Sequence, residues 1–207
     1  YGRFMCRVQG PQTGNVLLRR AQYRLADNQP LEPARWQIAA KINNSKQVLL
    51  RHQRNHGKNE AVGIVCKQLN RLVQRSKSVE NLDALRGIEG EAAQRYFSCV
   101  NSLLTGSIGE RFVFSTRNKR PPRDPINALL SFAYTLLTHD IAAAQQAVGL
   151  DPYVGFLHRD RPGRLSLALD MLEEFRALRR SAYWNEMETL YQYLIKNLDK
   201  IDVEFNT

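Results

Sequence analysis

Glu60-Ala61-Val62-Gly63-Ile64-Val65-Cys66-Lys67-Gln68-Leu69-Asn70-Arg71-Leu72-Val73-Gln74-Arg75 places its apolar residues at the helical period. Val62, Val65, Leu69, Leu72 and Val73 share one face, while Lys67, Arg71 and Arg75 lie elsewhere. A helix with one such stripe must pack against others, and the neighbouring segments supply them. Residues 34–54 carry Trp36, Ile38, Ala39, Ile42, Val48, Leu49 and Leu50 at near-helical spacing, and residues 81–104 carry Leu85, Ile88, Ala92, Tyr96, Cys99 and Leu103. Asp124-Pro125 is a helix start, with the carboxylate at the N-cap and proline at the first helical position. The stripe of that helix is Ile126, Leu129, Leu130, Ala133, Tyr134 and Leu137. Gly149 marks a stop, Leu165 or Ser166 a new start, and residues 183–199 read as a last helix.

The N-terminus reads differently. Phe4-Met5-Cys6-Arg7-Val8 and Val16-Leu17-Leu18-Arg19-Arg20 are short apolar runs on either side of the turn-rich loop 9–15, the pattern of two strands. Two strands do not make an independent sheet, so residues 1–26 are expected to be the end of a larger β domain or to borrow strands from a partner. Asp27-Asn28-Gln29-Pro30-Leu31-Glu32-Pro33 is the linker expected between them and the rest. The expected fold class is therefore α+β: the remnant of a small N-terminal β domain, then an all-α helical domain over residues 34–207.

At 207 residues and 43% hydrophobic, the chain can bury a core. Thirty Lys and Arg against twenty Asp and Glu leave a net charge of +10. The pI is near 9.8. Such a balance attracts polyanions, nucleic acid first and anionic membrane second. The charge is spread along the chain instead of lying on one amphipathic helix, which counts against a membrane surface. No apolar run approaches the ~20 residues that span a bilayer. No apolar stretch follows Tyr1-Gly2-Arg3-Phe4-Met5, so no signal peptide is read. Cys6, Cys66 and Cys99 are scattered and odd in number, as expected for reduced thiols in a cytoplasmic protein. No GxGxxG, GxxxxGK[ST] or GxSxG occurs, so nucleotide hydrolysis and α/β-hydrolase chemistry have no support.

Glu89, His158 and Asp170 form a mixed oxygen and nitrogen donor set suited to Mn²⁺ or Mg²⁺. Asp170 shares a helical face with Glu173 and Glu174, three and four residues on. His158 precedes that helix in a loop containing Pro162 and Gly163, from which it can fold back towards Asp170, and Glu89 comes from another helix. The plainer reading is a hydrogen-bonded structural histidine and solvated acids. The surroundings favour the metal: Arg159, Arg161 and Arg164 crowd the histidine, and Arg117, Lys119, Arg120 and Arg123 precede a helix N-terminus. Both clusters suit a DNA backbone, and Arg19, Arg20 and Arg24, interleaved with Tyr23, add to them. His52 and His56 lie one turn apart but lack the glutamate of a zinc-protease motif.

Four blocks of this sequence closely resemble the CRISPR-associated adaptation integrase family. They are Tyr1-Gly2-Arg3-Phe4 with residues 14–20; Gly87-Ile88-Glu89-Gly90 with Ala92-Ala93 and Tyr96-Phe97; residues 123–131 with Tyr134; and Gly155-Phe156-Leu157-His158 through Glu173-Glu174-Phe175-Arg176. The resemblance implies a small N-terminal β domain followed by a helical catalytic domain, and metal ligands at Glu89, His158 and Asp170, with Glu173 as a nearby second acid. It also implies a homodimer that joins a small ferredoxin-like partner and holds double-stranded DNA, inserting prespacers at CRISPR repeats. Two departures are visible: the β domain of the family is much longer, and residues 177–184 do not match the helix that usually follows Arg176. Two rival readings stay open, a stand-alone metal-dependent nuclease and a non-catalytic DNA-binding module.

Overall fold

The computed structural model describes residues 14–103, 117, 121, 123, 125–159 and 161–175. They form α1 (Val16–Asn28), α2 (Leu31–His56), α3 (Glu60–Ser78), α4 (Leu82–Ser98), the single turn α5 (Val100–Leu103), α6 (Pro125–Ala147) and α7 (Ser166–Phe175). Asparagines set three of the starts. The side chains of Asn15, Asn59 and Asn81 accept hydrogen bonds from the backbone N–H groups of Leu18, Val62 and Ala84, each satisfying a donor the helix itself leaves open. Gly149 follows α6 at φ 92°, a left-handed conformation that a side chain would strain.

No strand occurs among the described residues, so the expected α+β class is corrected. Residues 16–20, read above as a strand, are the first turns of α1. A three-residue apolar run cannot distinguish strand from helix by periodicity. Here the Asn15 cap and the helix formers that follow (Arg19, Arg20, Ala21, Gln22, Leu25, Ala26) outweigh it. The other expected strand, residues 4–8, lies outside the described residues, as does the helix expected at 183–199. Between α1 and α2 only Gln29 and Pro30 are non-helical, and Leu31, Glu32 and Pro33 already belong to α2. Proline is tolerated there because the first turn has no intrahelical acceptor for its missing N–H.

α2, α3 and α4 pack against one another around Ile38, Ile42, Leu49, Val62, Leu69, Leu72, Leu85 and Ile88. Cys66 and Cys99 sit in this core, where burial pushes both thiols up. A second, smaller core joins α6 and α7 through Leu137, Ile141, Ala142, Ala168 and Leu172. α7 also packs along α2, so one face of this short helix meets each core. No described helix is long and apolar enough to cross a membrane.

Candidate metal centre

Asp170 is fully buried on α7, and every hydrogen bond of its carboxylate comes from the segment 156–158. Oδ2 accepts from the N–H groups of Phe156 (2.6 Å) and Leu157 (2.9 Å). Oδ1 accepts from the N–H of His158 (3.0 Å) and lies 2.5 Å from His158 Nδ1. An ionised carboxylate only accepts, so the His158 proton belongs on Nδ1 and the Nε2 lone pair is left over. The same contacts explain Gly155. A Cβ there would stand 2.7 Å from Asp170 Oδ2 and 2.9 Å from the Ser166 carbonyl carbon, so only glycine lets the loop close on the carboxylate.

One helical turn on, Glu173 is buried too, but its surroundings are different. Its Oε2 lies 2.5 Å from Nζ of Lys41 on α2, and the same ammonium pairs with Oε1 of Glu89 on α4. Lys41 is only 6% exposed. Glu89 and His158 are the open members of the group, their side chains keeping 27% and 23% of their surface accessible.

Three long-range ties bring these elements together. Arg86, one turn before Glu89, donates to the Leu157 carbonyl (2.7 Å), docking the His158 loop on the Glu89 side of α4. Asn44 donates to the Glu174 carbonyl (2.8 Å), fixing the end of α7 to α2 just beyond Lys41. On α1, Gln22 donates to the carbonyls of Asp151 and Val154 (2.8 and 2.9 Å) and accepts from the Asp151 N–H (2.9 Å). That clamp holds the approach to His158. Lys41, Arg86 and Gln22 were absent from the sequence-based site, because each acts on residues far away in the chain.

Among the described residues, no three His, Cys, Asp or Glu side chains stand close enough together to hold a metal ion. Asp170 is committed to His158, while Glu89 and Glu173 meet at Lys41. The donor chemistry still fits a divalent cation. Two carboxylates from separate helices share one ammonium, formally leaving one negative charge, and an oriented imidazole is held on the neighbouring loop.

The basic residues divide. Arg20, Arg123, Arg159 and Arg161 are exposed, and Arg164 is half-buried in the turn before α7. Arg19 is tied to the Gly149 carbonyl (3.2 Å). Arg117 donates to the Asn127 side chain (2.7 Å) and lies 5.5 Å from the Tyr134 ring centre, bracing α6. Tyr23 donates to Asp151 (2.6 Å). Lys119, Arg120 and Asp124 lie outside the described residues.

The family model for CRISPR associated protein Cas1 matches residues 1–184. The CRISPR-associated endonuclease Cas1 1 of Chlorobaculum tepidum is 49% identical over 182 residues, covering 86% of this chain and 53% of its own length. Among solved structures, a casposase bound to its integration product shares the fold with a TM-score of 0.67 and 29% identity over 81% of this chain and 46% of its own. A partial Cas6-RT-Cas1–Cas2 complex does so with a TM-score of 0.69 and 30% identity over 79% of this chain and 48% of its own. The chain spans about half the length of the curated relatives it matches. A match of this extent along the chain settles its descent: it belongs to the Cas1 family of CRISPR-associated proteins.

Proposed function

We propose that this chain carries the catalytic centre of a metal-dependent DNA integrase, which joins the 3′-hydroxyl ends of prespacer DNA into a CRISPR repeat. The observation that carries this is an oriented imidazole, His158 on Asp170, on a loop that Arg86 ties to the helix of Glu89, together with two carboxylates, Glu89 and Glu173, gathered on one cation. We assign the ligand set to Glu89, His158 and Glu173. Asp170, with both oxygens occupied by the 156–158 loop, is the residue that orients His158. The closest precedent for such an arrangement is a metal-bound histidine whose other ring nitrogen donates to a carboxylate.

When bound, Mn²⁺ or Mg²⁺ would lower the pKa of the attacking hydroxyl and stabilise charge on the scissile phosphate. The chain's own residues do the rest. Asp170 keeps the Nε2 lone pair of His158 presented, and the partial exposure of His158 and Glu89 leaves room for a DNA end. We assign the phosphates to Arg159, Arg161 and Arg164, on the segment that follows His158, and further backbone contacts to the exposed Arg20 and Arg123. The incoming 3′-oxygen bonds to phosphorus as the bond to the departing 3′-oxygen breaks. The nucleophile belongs to the DNA, so no side chain becomes covalently attached. The casposase solved with its integration product favours joining over simple cleavage, and the Cas1–Cas2 complexes favour work alongside a Cas2 partner, which we take to be a small ferredoxin-like protein joined by a homodimer of this chain.

The test is incubation with Mn²⁺, a short duplex bearing free 3′-hydroxyls and a supercoiled plasmid, with and without the partner protein. Joined products that disappear in His158→Ala and Glu173→Gln are expected. Nicked plasmid without joining would favour a nuclease, and DNA affinity indifferent to metal, without products, a binding module. Binding should also weaken with salt, by about 10³-fold between 50 and 200 mM if about six phosphates are neutralised.

A further inference from the structure

We infer that Lys41 is a built-in counter-cation of this site, holding the Glu89 and Glu173 carboxylates together in the metal-free protein and displaced when a divalent cation takes the same oxygens. The inference rests on the metal assignment proposed above. Lys41 comes from the middle of α2, is nearly excluded from solvent, and pairs with Glu89 Oε1 and Glu173 Oε2. A lysine this buried is kept only when it is paired. The carboxylates need it equally, since two negative groups brought together with no cation would repel. An ammonium and a dication drawn to these two oxygens compete for their lone pairs and repel each other, so each weakens the other's hold. The lysine's flexible stem lets Nζ withdraw without moving the helix. Lys41 therefore keeps the helices together without metal and lowers the affinity with which metal enters.

The experiment is calorimetric titration of Mn²⁺ into the chain, its Lys41→Met and Lys41→Gln variants, and Glu173→Gln as a marker of the site. Mn²⁺ affinity about tenfold or more tighter in the Lys41 variants is expected, together with a lower Tm without metal that Mn²⁺ raises further than in the wild type. Equal or weaker affinity in those variants, with binding lost in Glu173→Gln, overturns the role of Lys41 and leaves the metal site standing. Mn²⁺ binding that survives Glu173→Gln, or no binding to any form, overturns both. A second measurement needs no variant. An amine-acylating reagent, read by peptide mass spectrometry on the wild type, should modify Lys41 several-fold faster once Mn²⁺ is present. An unchanged rate would also overturn the inference.

Discussion

Asp170 and Glu173 stand one helical turn apart on α7, both buried, and their partners differ in kind. Asp170 is surrounded by three backbone N–H groups and the His158 ring, all from a loop close in sequence. Glu173 meets the flexible ammonium of Lys41 from another helix, shared with Glu89. The first carboxylate cannot leave its donors without releasing the loop, because three N–H groups, that of Leu157 buried, would lose their acceptor at once. The second can exchange one cation for another while the backbone stays in place. Asp170 is thus tied into the fold by backbone donors, whereas Glu173 has the exchangeable partner that the metal role proposed for it requires.

The largest effect should come from Asp170→Ala. It orphans the buried N–H of Leu157, the partly buried N–H groups of Phe156 and His158, and the His158 ring together, and is expected to cost roughly 3–5 kcal/mol in urea unfolding. A loss below about 1 kcal/mol would mean that the loop does not depend on this carboxylate. Gly155→Ala attacks the same contact from the other side, forcing a methyl into the space between Asp170 and Ser166. A cost of about 1–3 kcal/mol is expected, and His158→Ala in the same background should add little further stability loss. Glu173→Gln should behave differently. Lys41 keeps Glu89 and the formal charge becomes balanced, so stability is expected within about 1 kcal/mol of wild type while the Mn²⁺ response is lost. If Glu173→Gln unfolded the protein as Asp170→Ala does, the distinction between the two acids would collapse.

The smallest effect concerns the α1 clamp that supports the His158 loop. The hydrogen bond to Asp151, then burial, raises the Tyr23 phenol above its ordinary value of 10.0. A raised acid is protonated in the folded state where the unfolded chain has begun to ionise. Its contribution is therefore complete below about pH 10 and fades as pH climbs through the raised value. Urea midpoints of wild type and Tyr23→Phe at about pH 9 and about pH 11 should converge at the higher pH. A constant gap between them would remove Tyr23 from the clamp's pH response.

The helices from α2 onward were legible because their apolar residues recur at the helical period, and Asp124-Pro125 marked one start. The segment 16–20 was not, since a run of three apolar residues fits a strand as well as a helix, and the deciding contacts of α1 reach from Gln22 to Asp151, 129 residues away. Glu89, His158 and the acids of α7 could be named because their residue types suit a divalent cation. Their division of labour could not be read from spacing. Asp170 and Glu173 lie on the same face of the same helix, and nothing in the sequence tells which one the 156–158 loop closes upon.

Residue order thus determined which segments must be helical and which side chains have donor groups that suit a divalent cation, because both follow from local pattern and functional group. Tertiary packing alone decided that Asp170 is engaged by its loop, that Lys41 crosses 48 residues to reach Glu89, and that Arg19 and Arg117, two of the expected DNA-binding arginines, also tie segments within the chain. Those outcomes depend on which donors the folded chain brings within hydrogen-bonding distance, and a buried polar group must accept whatever partner the packing supplies.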